Sequence, residues 1–331
     1  SYDHFTLNAE KSVKTGTITA DGRLTLDLYY DRDTVTVTFD PNGGALDGES
    51  GSVEKTLRWG ASLGTVTPER EDYAFDGWYT ADNAKVTVVS GEAVTLTARW
   101  TAGAVSFTVQ HYIMNTDGVG YELRATDNTA QGAVDSTVTL NTLKDAGYEV
   151  ENGIAYDHAS VGGSAASVTE TTVVKDMTVK LYYDRKAFTV TFDPKKGTLD
   201  SLSDPSARTL YYGAPLASVV PERTDYTFTG WHTDEACTEK LDTVPAQAES
   251  ALTLYAGWEA NEVEITLKHY VLRTNGYGME KNPQLTETKT ARAGEIIDDL
   301  KGFLASDKVA TADGGIYYMS TWREGSTSPS A

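Results

Sequence analysis

The chain has 331 residues, and its 48 acidic against 28 basic residues leave a net charge of −20. A field of that sign repels phosphate backbones and anionic headgroups, which argues against nucleic-acid binding and against adsorption on membranes. The single cysteine, Cys237, rules out an intrachain disulfide and a cysteine-based metal cluster, and is read as a small side chain under a loop.

Residues 1–32 start with "SYDH" (Ser1 to His4) and end with "LYYDR" (Leu28 to Arg32). Both return later, at Ala155–His158 and Leu181–Arg185, so 1–32 reads as the second half of a longer module. Residues 33–101 form a short module. Its "TVTVTFD" alternates Val35, Val37 and Phe39 against threonines, the pattern of a half-buried strand, and "PNGG" supplies turn residues. Tyr73 and Phe75 alternate in a second strand with Trp78 just beyond Gly77, and "TLTARW" closes the module at Trp100. A module of about 70 residues has little core, so the large aromatics Phe39, Tyr73, Phe75, Trp78 and Trp100 are expected to fill it, with Gly77 permitting a bend.

Residues 102–185 hold the complete long module, with strands at "FTVQHYIM" and "TVKLYYD" and a helix expected over Thr139–Val150. Residues 186–260 repeat the short module. "ERTDYTFTGWHT" there matches "EREDYAFDGWYT" at eight of twelve positions, and Phe192, Tyr226, Phe228, Gly230, Trp231 and Trp258 occupy the corresponding core places. Residues 261–331 contain the first half of the long module plus a tail, "ITLKHYVLRTNGYGME" answering "FTVQHYIMNTDGVGYE". A second helix is expected over Ala293–Ser306, with Ile296, Ile297, Leu300 and Leu304 on one face.

Candidate chemistry is sparse. "GASLG" (Gly60 to Gly64) fits a nucleophile pattern, but its repeat counterpart "GAPLA" has Pro215 in place of Ser62. Four of the five histidines, His4, His158, His111 and His269, fall at equivalent module positions, while His232 stands alone. No zinc spacing and no calcium loop are present, so no catalytic, cofactor-binding or metal-binding residue is expected. Lys180 and Lys268 lie in strands and read as outward-facing, solvated lysines rather than partners in a Lys–Asn cross-link.

The short module resembles the Listeria–Bacteroides repeat, also called the internalin B-repeat. The likeness rests on "TVTFDPNGG", a "WG" or "YG" dipeptide, "P-x-R-x-x-Y-x-F-x-GW" and a closing "TLxAxW". The second copy departs at "PKKG", where Lys195 and Lys196 replace Asn42 and Gly43. The long module is similar to mucin-binding-protein repeats through its opening strand with "HY", Gly147-Tyr148 and the closing "VKLYYDR".

These resemblances imply an α+β, β-rich chain of tandem small β-grasp (ubiquitin-like) modules in an elongated array. They also imply a non-catalytic repeat region of a secreted or wall-attached bacterial surface protein, an adhesin or stalk outside the cell. Host glycans of the mucin type or extracellular proteins are the expected partners, and no cofactor and no membrane insertion are expected. Tyr112, Tyr121 and Tyr277 are the candidate ligand contacts, each equally suited to a core. The alternatives are an accessory region of a large secreted enzyme or a strand-complemented fibre subunit that self-associates head to tail through residues 1–32. No apolar run approaches the roughly 18 residues that span a bilayer, and no leader stands at Ser1, so export and anchoring signals are expected outside this stretch.

Overall fold

Threonine, valine and tyrosine suit pleated strands, and about half of the described residues adopt them. The computed structural model describes residues 2–247, 249–270, 273, 285–297, 308–310 and 316–318. One unit takes the chain up to Ile113 together with Glu122–Ala146 and Tyr156–Tyr183. A second takes Met114–Tyr121, Gly147–Ala155 and the described residues from Asp184 onward.

In the first unit β1 (Phe5–Leu7) pairs antiparallel with β2 (Tyr30–Arg32). The short module follows as β3 (Thr34–Asp40), β4 (Val53–Arg58), β5 (Tyr73–Tyr79), β6 (Lys85–Val86) and β7 (Val94–Ala102), in the sheet order β4-β3-β7-β5-β6. Its first and last strands run parallel at the centre, Val37 beside Val94, with antiparallel neighbours on either side. The long module, whose residues divide between the two units, brings β8 (Ala104–Met114), β9 (Tyr121–Ala133), β10 (Thr137–Thr139), β11 (Ile154–Val161), β12 (Glu170–Thr172) and β13 (Thr178–Arg185). Four of them make the sheet β11-β13-β8-β9, again with first and last strands parallel, Val179 beside Val109. The other two, β10 and β12, form a separate antiparallel pair.

The second unit repeats the short module with β14 (Ala187–Asp193), β15 (Ser206–Tyr211), β16 (Tyr226–His232), β17 (Lys240–Leu241) and β18 (Ala251–Ala260), in the same order β15-β14-β18-β16-β17. Then β19 (Glu262–His269) pairs with β20 (Leu285–Arg292), and β21 (Lys308–Ala310) with β22 (Ile316–Tyr318).

Each short module has one hydrophobic cluster. Phe39, Trp78 and Leu96 centre the first, with Phe75 and Trp100 packed against it; Phe192, Trp231 and Leu254 centre the second, with Phe228 and Trp258 alongside. Simple alternation along β5 sends Phe75 and Trp78 to opposite faces, yet both reach the same core. A bulge resolves this: Phe75 faces Trp100 while Gly77 faces Arg99, so Asp76 is an extra residue and Trp78 falls opposite Ala98. The second copy has the same shift between Phe228 and Gly230. Gly77 holds φ at +150°, and a Cβ there would stand 2.5 Å from Lys85 Cε. The buried indoles are satisfied identically, Trp78 Nε1 donating to Val66 O and Trp231 Nε1 to Val219 O, both at 2.7 Å.

Tyr73 and Tyr226, expected in these cores, lie outside both clusters and are only half-buried. The expected helix at Thr139–Val150 is replaced by two 3-10 turns, Leu140–Leu143 and Ala146–Tyr148. Gly147 inside that stretch disfavours a continuous helix, and Leu140 alone is fully buried there. Of the helix expected over 293–306, residues 293–297 form a turn and irregular chain, and 298–306 lie outside the described residues.

The departure at Lys195-Lys196 leaves the turn intact. Asn42 and Gly43 sit at φ 47° and 85°, and Lys195 and Lys196 at 44° and 66°. In both copies a carboxylate steadies the turn, Asp40 accepting from the Asn42 N–H and Asp193 from the Lys195 N–H. Lys196 is exposed and therefore carries left-handed strain without a packing return. Lys196→Gly should raise the stability of the second short module by about 0.5–1 kcal/mol, the relief of strain less the entropy of glycine, as read from denaturant unfolding. Trp78→Ala and Trp231→Ala should each cost the module that carries it about 3–5 kcal/mol. Thermal melts unchanged by either substitution would contradict this packing.

Candidate functional site

No reaction centre is assembled at the sites singled out from sequence. Ser62 is exposed, its Oγ accepts the Gly64 N–H, and it bridges to Val88; the counterpart Pro215 makes the same bridge to Thr243. "GASLG" is therefore an edge contact, not a nucleophile elbow. Cys237 is half-buried, and burial pushes its thiol pKa up, which suppresses the thiolate. Among the described residues no group of three or more His, Cys, Asp or Glu is placed to hold a metal ion. Lys180 is half-buried on β13 and Lys268 is exposed on β19.

What the repeated residues do build is junctions. One residue separates the strands at each: Asp33, Gly103, Lys186 and Asn261. Each donates its N–H to a carbonyl, of His4, Asp72, Gly153 and Asp225 respectively, at 2.8–3.0 Å. Where a short module follows, Asp33 O accepts from Trp59 N, and Lys186 O from Tyr212 N. The arginine of "LYYDR" then reaches across. Arg32 Nη1 donates to Trp59 O at 3.4 Å and Arg185 Nη1 to Tyr212 O at 2.9 Å, with Arg185 Nε also on Met114 O.

Where a short module hands over to the next strand pair, the half-buried tyrosines take part. Tyr73 donates its hydroxyl to Asp135 and Tyr226 to Ala293 O, and Arg70 and Arg223 lie over their rings at 3.7 and 3.5 Å. The "R-x-x-Y" within the repeated motif is thus junction chemistry, while the "F-x-G-W" beside it is core.

The aromatic groups of the long module divide between the two faces of its sheet. On the inner face His111 is buried, and its Nδ1 lies 3.0 Å from the Tyr183 hydroxyl, which itself accepts the Asp145 N–H. On the outer face three half-buried rings form a ladder across β11, β13 and β8. His158 stacks on Tyr182 at 4.4 Å and 11°, and Tyr182 on Tyr112 at 5.3 Å and 24°. Asp157 pairs with His158, and Gln110 accepts the Tyr112 hydroxyl. Tyr112 was singled out from sequence; Tyr182 and His158 were not, although adjacent tyrosines in a strand must face opposite ways. Tyr121 is elsewhere, donating to Asp184 at 2.6 Å, and Tyr277 lies outside the described residues. Equivalent histidines also diverge: His4 stacks on Trp59 at 4.6 Å, and the side chain of His269 is outside the described set.

The family model described as the Listeria–Bacteroides repeat domain matches residues 36–104 and 188–257. These are the two short modules. The short modules match that repeat. Among curated proteins, one named "Putative membrane protein" from Evansella cellulosilytica is 23% identical over 258 residues, which is 75% of this chain and 34% of the relative. Another from the same organism, named "Putative Gly-rich membrane protein", is 24% identical over 220 residues, 60% of this chain and 24% of that relative. The chain thus spans about a third of the length of the first relative and about a quarter of the second. Among the described residues no helix is long and apolar enough to cross a membrane.

Burial holds the His111 imidazole below its ordinary pKa, with Asp145 and Asp127 opposing that shift. The depressed folded value means that the unfolded chain binds the proton more readily. Stability from the neutral ring is therefore complete above about pH 6.5 and falls as the pH drops toward the folded value. Melting followed from about pH 7.5 to about pH 5 should show a fall in Tm that is smaller in His111→Gln. An equal fall in both proteins would remove His111 as the cause.

Proposed function

We propose that this chain is a non-catalytic repeat region of a bacterial cell-surface protein, acting as an adhesin that binds glycans outside the cell. The observation that carries the binding role is the outer-face ladder of Tyr112, Tyr182 and His158. Ring faces set side by side pack against the apolar face of a pyranose, while Gln110 and Asp157 beside them offer hydrogen-bonding groups. The matched repeats and the relatives' descriptions as membrane proteins support surface attachment over a role as accessory region of a secreted enzyme. The modules are read as β-grasp units. The parallel central pair of first and last strands with antiparallel hairpins outside it supports that reading, with the crossover helix reduced here to a 3-10 turn such as Leu216–Ser218. The mucin-binding-repeat identity of the long module belongs to the same proposal.

A glycan array probed with the whole chain tests this. Binding to mucin-type glycans is expected, weakened about tenfold by Tyr112→Ala and by Tyr182→Ala, as for the loss of about 1.4 kcal/mol of stacking. Circular dichroism on each variant separates lost binding from lost fold. Binding untouched by both variants would displace the ladder as the site. An array without any bound glycan would leave spacing as the role.

A further inference from the structure

We infer that Lys180 and Gln110 form an anion subsite beside the aromatic ladder, and that the sugar it selects is a hexuronic acid. The inference rests on the ladder being the glycan site, and it adds an acidic class of ligand to that reading. Val179, Leu181 and Tyr183 are 0% exposed on the inner face of β13, so Lys180 and Tyr182, which alternate with them, point outward. On β8 the buried Val109, His111 and Ile113 likewise turn Gln110 and Tyr112 outward. In the parallel register Lys180 lies beside Gln110, and Tyr182 beside Tyr112. The two donors therefore form the row next to the stacked tyrosines, about 6.6 Å along the strands.

Both donors lack a partner. Among the described residues Lys180 makes no ion pair or hydrogen bond, although the chain carries 48 acidic against 28 basic residues. Other basic groups of the same sheet are engaged: His158 by Asp157, Arg124 by Glu122, and Arg185 by two carbonyls. Gln110 Oε1 accepts the Tyr112 hydroxyl at 3.1 Å, and its Nε2 donors have no acceptor among the described residues. Lys180 and Gln110 are half-buried, so part of their hydration is already lost. An anion that docks on them meets donors stronger than those of a fully solvated side chain.

Neighbouring strands lie about 4.8 Å apart, so two donors side by side can each take one oxygen of a single carboxylate. In a glucuronic acid chair the carboxylate is equatorial and lies near the mean plane of the ring. With that ring flat on Tyr182 and Tyr112, the carboxylate runs along the sheet surface toward the Lys180 row. The axial carboxylate of an α-linked sialic acid would instead point into the platform or away from it. The net charge of −20 acts at long range and is screened beyond about 8 Å at physiological ionic strength, whereas Lys180 acts in contact.

Titration calorimetry on the whole chain is the test, at about 0.15 M salt. The probes are a short oligosaccharide of alternating glucuronic acid and N-acetylglucosamine, and the same oligosaccharide with its carboxyls reduced to alcohols. The acidic form should bind about fivefold more tightly than the reduced form. Lys180→Gln should remove that difference and leave the affinity for the reduced form unchanged, while Tyr182→Ala should weaken both. Circular dichroism checks that each variant keeps its fold. Equal affinity for the two forms, or a preference that survives Lys180→Gln, would overturn the subsite and leave the ladder standing. Equally tight, Lys180-dependent binding of a sialylated oligosaccharide would overturn the hexuronic acid assignment. If neither probe binds while neutral glycans still bind through the ladder, the subsite alone falls; if no glycan binds at all, both readings fall.

Discussion

The parallel pairing of first and last strands sets the organisation of every complete module. Val37 beside Val94, Val109 beside Val179 and Val190 beside Leu252 are three instances of one arrangement. Because the two central strands point the same way, the chain enters a module at one end of the pair and leaves at the other. The next module then begins immediately, one residue later, at Asp33, Gly103, Lys186 or Asn261. So short a join gives the backbone little freedom, and each joining N–H is satisfied by a carbonyl of the adjoining module.

Backbone geometry recurs at these joins while side chains vary. Trp59 and Tyr212 fill the same place because their carbonyl and N–H are what the join uses. Gly103 meets Asp72 O so closely that a Cβ would stand 2.6 Å from it, whereas Asn261 occupies the equivalent place and accepts from Thr227. Arg32 and Arg185 are retained as a long donor that reaches from the end of one strand to the first turn of the next module. The same logic explains the turn at Lys195-Lys196. Its conformation is imposed by the flanking strands and the Asp193 carboxylate, so non-glycine residues are held at positive φ.

The tyrosines show how one composition serves three roles. Tyr183 is sealed in the inner face with His111, Tyr182 and Tyr112 stack on the outer face, and Tyr73, Tyr226 and Tyr121 donate hydroxyls at or near joins. A phenol has an apolar body and a polar tip, and burial of one or the other depends on which neighbour the fold supplies.

The amino-acid sequence by itself determined the repeat plan, the strands and the identity of the main core groups. Repetition exposes module limits directly, and alternation such as Val35, Val37 and Phe39 states which side of a strand is apolar. Trp78 could be assigned to the core from its bulk, but not from alternation, because the bulge at Asp76 changes the phase and depends on pairing with β7. Tyr73 was assigned to the core by the same reasoning and belongs instead to a join, since Asp135 is brought to it from 62 residues away. The helix expected at Thr139–Val150 failed because local periodicity is weak over so short a span and tertiary packing buries Leu140 through a 3-10 turn. The ladder of Tyr112, Tyr182 and His158 draws one ring from each of three strands. Lateral order within a sheet is a property of pairing, which no local stretch of sequence encodes, and only the tertiary structure decided it.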